Sequence, residues 1–281
     1  MDDLCRNTVF TNDSCRSGGV FYLGAKSTAL AAPFRGVLDE VRVFDRELNI
    51  PQIRAVMRAD MGGVHVLPKG GALSVAAGAT LEVNGTDETA STIAGAGTLD
   101  FISGRLTLTG PSSFAGTLKG DGTVVLPAGA SLTVGTDPQD FTGYVEMAGG
   151  AFGLPAGVTS IPATFRMTAI DPSAETTVPG DAEIPDGTAL AVTDGFRGPF
   201  VTAAGKVVVK GGGTVALPTE APMRGTWVIA RGASVEDAGT GDLNERWTVT
   251  NLRKKHTAEF AVQNGEFTCA VSGPGLAVIV R

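Results

Sequence analysis

Short runs of alternating apolar and polar residues, each closed by glycine, fill most of the chain from residue 62 onward. A period of two sends the apolar side chains to one face of an extended strand and leaves Thr and Ser on the other. Five such apolar pairs are Leu73/Val75, Leu81/Val83, Leu106/Leu108, Val124/Leu126 and Leu132/Val134. The pattern predicts short strands that each supply half of a core and need a neighbour to cover them.

The glycines belong to phrases that recur along the chain. The phrase G-x-G-T, followed by Leu or Val, begins at Gly95, Gly120 and Gly211. The phrase F-x-G begins at Phe114, Phe141 and Phe196, with Met in place of Phe at Met223, and the interval from Phe114 to Phe141 equals that from Phe196 to Met223. A period in the twenties with strands this short is typical of a solenoid in which each coil covers the next. We therefore predict an all-β chain folded as a right-handed parallel β-helix.

Residues 19–57 differ in character from this repeat. The run VLDEVRVF places apolar groups at intervals on both faces, which indicates a strand packed between two layers. Asn49 is a suitable N-cap, Pro51 suits the first turn, and Gly62 ends the apolar stripe, so a short helix is predicted to follow the strand and to lie against a sheet edge.

This segment resembles the C-terminal end of bacterial laminin G-like domains, which have a concanavalin A-type jelly-roll fold. The matching residues, in order, are Gly36, Leu38, Asp39, Glu40, Val41, Arg42, Val43, Phe44, Arg46 and Leu48. The resemblance covers roughly 45 residues, whereas a complete sandwich needs many more strands. It implies that residues 1–61 are a jelly-roll remnant, and that the chain is the tail of a longer protein whose signal peptide is lost with its N-terminus.

The glycine-rich phrases resemble the repeats of bacterial autotransporter passenger domains and related surface β-helix proteins, over about 70–155 and 195–235. We assign 62–235 to β-helical repeats and 236–281 to C-terminal β rungs and a cap. Residues 156–190, richer in Pro and acids, are either an irregular rung or an insertion. The final stretch is expected to form three strands, with turns at Gln263-Asn264-Gly265 and at Gly273-Pro274-Gly275.

Composition and charge argue against nucleic acid and a membrane helix, and leave the state of the cysteines open. The net charge of −7 argues against nucleic acid, because binding to phosphate backbones requires clustered Lys and Arg. No apolar run reaches the roughly 18 residues of a membrane helix. The cysteines are Cys5, Cys15 and Cys269; Cys5 and Cys15 are close enough in sequence to form a disulfide in an oxidising compartment, although three free thiols remain an equal alternative.

The residues that carry chemistry form no recognisable catalytic pattern. His65 and His256 belong to no nucleophilic triad, and the spacings of structural zinc sites are missing. The best enzyme alternative is a polysaccharide lyase or hydrolase, which would use clustered acids along a groove. The local concentration of acids comprises Asp171, Glu175, Asp181, Glu183 and Asp186, which a solvated loop explains more simply.

Glycan recognition commonly uses exposed aromatic rings, and the Trp and Tyr residues here are Tyr22, Tyr144, Trp227 and Trp247. Trp227 follows a repeat phrase and is predicted to be core. The basic run Arg253–His256 is either a contact for an acidic envelope or polysaccharide, or a solvated strand face.

The sequence thus predicts a non-catalytic, extracellular or cell-surface protein fragment, in which a lectin-like head on a β-helical stalk serves adhesion or carbohydrate binding. Expected partners are an extracellular glycan or a host or cell-surface protein. No cofactor, metal site or catalytic residue is predicted. The alternatives are a β-helical polysaccharide lyase or hydrolase and an autotransporter passenger segment.

Overall fold

The computed structural model describes Leu67 and residues 70–193, 195–218 and 224–273. The predicted laminin G-like remnant with its helix, Cys5, Cys15 and His65 lie outside these residues. So do Met223 and the strand predicted after Gly273-Pro274-Gly275.

The described residues form 24 strands and one short helix. The strands are β1 (Ala72–Val75), β2 (Thr80–Val83), β3 (Asp87–Ala90), β4 (Thr92–Gly95), β5 (Thr98–Phe101), β6 (Arg105–Leu108), β7 (Pro111–Phe114), β8 (Thr117–Gly120), β9 (Thr123–Pro127), β10 (Ser131–Val134), β11 (Tyr144–Ala148), β12 (Ala151–Gly153), β13 (Thr164–Ala169), β14 (Thr176–Val178), β15 (Asp181–Ile184), β16 (Thr188–Ala191), β17 (Val201–Ala203), β18 (Lys206–Val209), β19 (Gly213–Ala216), β20 (Gly225–Arg231), β21 (Ser234–Asp237), β22 (Trp247–Val249), β23 (Thr257–Gln263) and β24 (Glu266–Ser272). The helix, α1 (Leu243–Arg246), precedes β22.

From β1 to β23, strands that follow one another in the chain enter different sheets, and each sheet stacks strands from successive coils. Sheet A has the order β1-β4-β7-β10-β12, sheet B β2-β5-β8, and sheet C β3-β6-β9-β11-β13-β15-β18-β21. Sheet D is β14-β17-β20-β24-β23 and sheet E is β16-β19-β22. Sheets A, B, C and E are parallel throughout, whereas in sheet D β24 pairs antiparallel with both β20 and β23. The all-β, parallel β-helix prediction is confirmed.

The coil length inferred from the F-x-G phrase is wrong in the first half of the solenoid. In sheet C, Asp87 pairs with Arg105 and Arg105 with Thr123, so these coils are shorter than the repeat of the phrase. Later coils are longer, since Ala182 pairs with Val207 in sheet C and Gly213 with Trp247 in sheet E.

The repeated phenylalanines also occupy different places in the coil. Phe114 lies in β7 of sheet A, whereas Phe141 bridges to Gly120 at the end of β8. The two residues are therefore on different sides of the coil, and their interval does not measure one turn of the solenoid.

The G-x-G-T phrase marks corners rather than one fixed position. Gly95 and Gly97 join β4 to β5, Gly120 and Gly122 join β8 to β9, and Gly211 joins β18 to β19. Added Cβ atoms at Gly97 or Gly122 would meet carbonyl oxygens of the preceding coil. The phrase recurs because three different corners share one steric requirement.

Glycines also line the corner that leads into sheet C. The N–H of Thr123 donates to the carbonyl of Gly104 at 2.8 Å, and the N–H of Tyr144 donates to the carbonyl of Gly122 at 2.9 Å. A Cβ on Gly143 would collide with the Gly122 carbonyl oxygen. The coils therefore approach each other closely because these positions lack side chains.

The interior is a continuous column of apolar side chains. Alternate residues of the parallel strands point inward, and Phe101, Leu106, Leu126 and Phe165 are fully buried. Each such side chain contributes roughly 1.5–3 kcal/mol relative to exposure. The rings of Phe101 and Phe141 pack against each other across coils, with their centroids 5.6 Å apart.

Residues 156–190 are not an insertion. After a loop they form β13 and β15 in sheet C, β14 in sheet D and β16 in sheet E. The rung is irregular at one point, where the pairing of β11 with β13 shifts register after Met147.

The predicted turn at Gln263-Asn264-Gly265 is confirmed, with Asn264 and Gly265 at φ of 53° and 74° between β23 and β24. This hairpin closes the C-terminal end of the core, where Trp247, Phe260 and Phe267 pack together. Both edges of β24 are occupied, by β20 and by β23.

Candidate functional site

Among the acids between Asp171 and Asp186, Asp181 and Asp186 join neighbouring coils by hydrogen bonds. Asp181 Oδ1 accepts the N–H of Lys206 at 2.9 Å, and Asp186 Oδ1 accepts the N–H of Gly212 at 2.7 Å, each from the next coil. Asp171 caps its own turn: the hydroxyl of Ser173, and then its N–H, lower the pKa of the Asp171 carboxyl. At these corners of the coil, the carboxylates accept backbone N–H groups. A sequence pattern alone does not distinguish acids in this role from acids in a solvated loop.

Glu183 belongs instead to the outer face of sheet C. Its carboxylate accepts the Nε–H of Arg166 at 3.0 Å and lies 3.7 Å from the Nζ of Lys210. The guanidinium of Arg166 also covers the ring of Tyr144, 4.5 Å from its centroid. On the same face, Arg105 forms a bidentate pair with Glu146, at 2.8 and 3.1 Å.

These residues define the sheet C face, which comprises Arg105, Tyr144, Glu146, Arg166, Glu183 and Lys210. Each of its two carboxylates is paired with an arginine, and Glu183 also lies near Lys210. Tyr144 remains 37% exposed although Arg166 covers one side of its ring. It is the exposed aromatic residue of this face, and a sugar ring could stack only on the side left open.

The two tryptophans are structural. Trp227 is 2% exposed and Trp247 is 1% exposed, and the Nε1–H of Trp247 donates to the carbonyl of Gly211 at 2.8 Å. The prediction that Trp227 is core is confirmed. Its ring supports the guanidinium of Arg197, 4.5 Å from its centroid.

The basic run does not form a strand face. Residues 253–256 make a turn closed by the N–H of His256 donating to the carbonyl of Arg253 at 3.0 Å, and β23 begins only at Thr257. Lys254 and Lys255 are exposed, and Lys255 has a left-handed backbone with φ of 68°. The run therefore stands at one end of sheet D.

Cys269 lies in β24 between Trp227 and Phe260, and it is fully buried. Burial raises the pKa of its thiol to about 12, which keeps it protonated and unreactive. We assign it to the core.

A cavity of about 100 Å³ lies at the start of the described coil, and its lining includes Leu67, Leu81, Asn84 and Glu88. Glu88 is 3% exposed because it points into the coil, where its carboxylate accepts the N–H of Leu67 at 3.2 Å. Leu67 and Gly70 are thus hydrogen-bonded to β3. Among the described residues, no group of three or more His, Cys, Asp or Glu side chains is arranged to hold a metal ion.

Compared with known proteins, the chain matches no family model, and no curated protein or solved structure matches it. The resemblances to laminin G-like domains and to autotransporter repeats stay predictions. Within the part of the chain that the structure describes, no helix is long and apolar enough to cross a membrane.

Proposed function

We propose that this chain is a non-catalytic stalk segment of a secreted or cell-surface protein, serving adhesion or glycan contact. The observation that carries the proposal is the uninterrupted stack of eight strands in sheet C, from β3 to β21. At about 4.8 Å per strand, this stack spans roughly 34 Å along the coil axis. A rigid, self-covering rod of this kind suits a spacer that holds a binding head away from a surface.

The positions of the acids support a scaffold role over an enzymatic one. A lyase or glycosidase needs carboxylates free to meet substrate or metal. Here Asp181 and Asp186 accept backbone N–H groups of the next coil, and Glu183 lies between two cations. Each is used in holding the solenoid together.

The test uses the whole chain immobilised on beads, with dextran, polygalacturonate and dextran sulfate as fluorescent probes. We expect at least one polysaccharide to be retained, with no change in its chain length after prolonged incubation. Cleavage of a polysaccharide that is abolished in Asp181→Asn or Glu183→Gln would establish the lyase or hydrolase alternative instead. Retention of none of the three would contradict the glycan-contact proposal.

A further inference from the structure

Exposed cations from three separate segments converge at one end of sheet D. At this end β20 and β23 begin and β24 finishes, which brings Arg224, His256 and Gly273 together. We call this surface the basic end, and define it by Arg197, Arg224, Lys254, Lys255 and His256.

Short distances connect its members. The Nη1 of Arg197 donates to the carbonyl of Arg224 at 3.2 Å. The Nε of Arg224 and the Nε2 of His256 lie 3.0 and 2.6 Å from the point where a Cβ on Gly273 would stand. The Nδ1 of His256 is 3.3 Å from the carbonyl oxygen of Lys254, so the lysine turn adjoins the two arginines.

Within the part of the chain that the structure describes, four cations of this surface have no carboxylate partner. Elsewhere the described cations with carboxylate partners include Arg105, Lys119, Arg166, Lys210, Arg231 and Arg246. Within the described residues, Arg197, Arg224, Lys254 and Lys255 form no ion pair. In a chain of net charge −7, grouped positive charge of this kind repels itself, and a bound anion relieves that repulsion.

Arg197 is also held in place for binding. Its guanidinium lies over the buried ring of Trp227, and Trp227 itself is fixed by its pairing with Cys269 on β24. A planar guanidinium held in this way loses little freedom when it binds an oxyanion through two N–H groups. Trp227 therefore acts as a positioning residue.

We propose that the basic end binds an acidic polysaccharide through its carboxylate or sulfate groups. This inference rests on the proposed function and specifies its ligand class. An extended chain with repeating anions matches several exposed cations spread over a surface.

The experiment measures binding of the whole chain to dextran sulfate, polygalacturonate and neutral dextran by biolayer interferometry. The two acidic probes separate sulfate from carboxylate recognition. We expect binding to at least one acidic probe, with an affinity that falls on the order of 50- to 150-fold between 50 and 200 mM salt, as counterion release at about four contacts requires.

The test variant is Lys254→Gln/Lys255→Gln, and the matched control is Lys119→Gln/Lys206→Gln, which removes the same charge from sheets B and C. We expect the test variant to lose at least about 10-fold in affinity and the control less than about 2-fold. Equal losses in both, or no acidic binding at 50 mM salt, would overturn the inference. If the chain binds only neutral dextran, the acidic-polysaccharide inference is wrong but the proposed function stands. If the chain cleaves a polysaccharide, both the inference and the proposed function are wrong.

Discussion

Asn244 protects the free edge of the C-terminal hairpin. Among the described residues, strand β23 pairs with β24 on one side only, and the Asn244 side chain binds its other side. The amide accepts the N–H of Phe260 at 2.6 Å and donates to the carbonyl of Phe260 at 3.2 Å, so one side chain stands in for a neighbouring strand. The short helix α1, capped by Asp242, positions it.

The replacement Asn244→Ala removes both hydrogen bonds. At about 0.5–1 kcal/mol for each partly exposed bond, we expect the free energy of unfolding to fall by about 1–2 kcal/mol in a urea titration. An unpaired edge also favours pairing with a second copy, so we expect dimers or larger species at high concentration by light scattering.

The variant Asn244→Asp gives a graded control. A carboxylate still accepts the Phe260 N–H but offers no donor to the Phe260 carbonyl, so roughly half of the loss is expected. If Asn244→Ala unfolds within about 0.3 kcal/mol of the parent chain and stays monomeric, edge protection by Asn244 is refuted.

Three further predictions concern the coil. Gly143→Ala should destabilise the chain by about 1–3 kcal/mol because its Cβ meets the Gly122 carbonyl, whereas Gly153→Ala, which meets only a threonine side chain, should change thermal unfolding little. In a chain whose other cysteines are replaced by serine, Cys269 should resist iodoacetamide at pH 8 while folded and react in urea, because burial raises the pKa of its thiol to about 12. Rapid alkylation of the folded chain would contradict this prediction. Glu183→Gln should lower the free energy of unfolding by less than about 1 kcal/mol, and by less still in high salt, because its ion pairs are partly exposed. A larger loss that does not depend on salt would contradict a role limited to these ion pairs.

The strands were predictable from the sequence because their signal is local. Leu106 and Leu108 alternate with polar residues, and both are buried in the core beneath sheet C. The coil length was not predictable from the repeated phrases. The phrase G-x-G-T occurs at several different corners of the coil, because each corner leaves no room for a Cβ atom. A Cβ at Gly97 and one at Gly213 would both meet a carbonyl of the preceding coil, yet these glycines lead into different sheets.

The candidate surfaces depended on contacts distant in sequence. The run Arg253–His256 stood out in the sequence, but nothing local indicated that Arg224 and Arg197 would join it. Likewise the acids at Asp181 and Asp186 resemble a solvated loop until the next coil supplies their N–H partners, on Lys206 and Gly212. The alternation in the sequence indicates whether a side chain points into the core or outward. It does not indicate which residue of the next coil that side chain contacts.

The stack of parallel coils, on which the spacer role depends, is tested most directly by one distance. Asp87 and Ser234 are exposed, lie on the two end strands of sheet C, and occupy equivalent register positions. With Cys5 and Cys15 replaced by serine, spin labels at Asp87→Cys and Ser234→Cys should give a narrow electron–electron distance distribution centred near about 34 Å, for seven strand spacings of about 4.8 Å. A broad distribution, or a mean below about 25 Å, would contradict the continuous stack and the stalk role that depends on it.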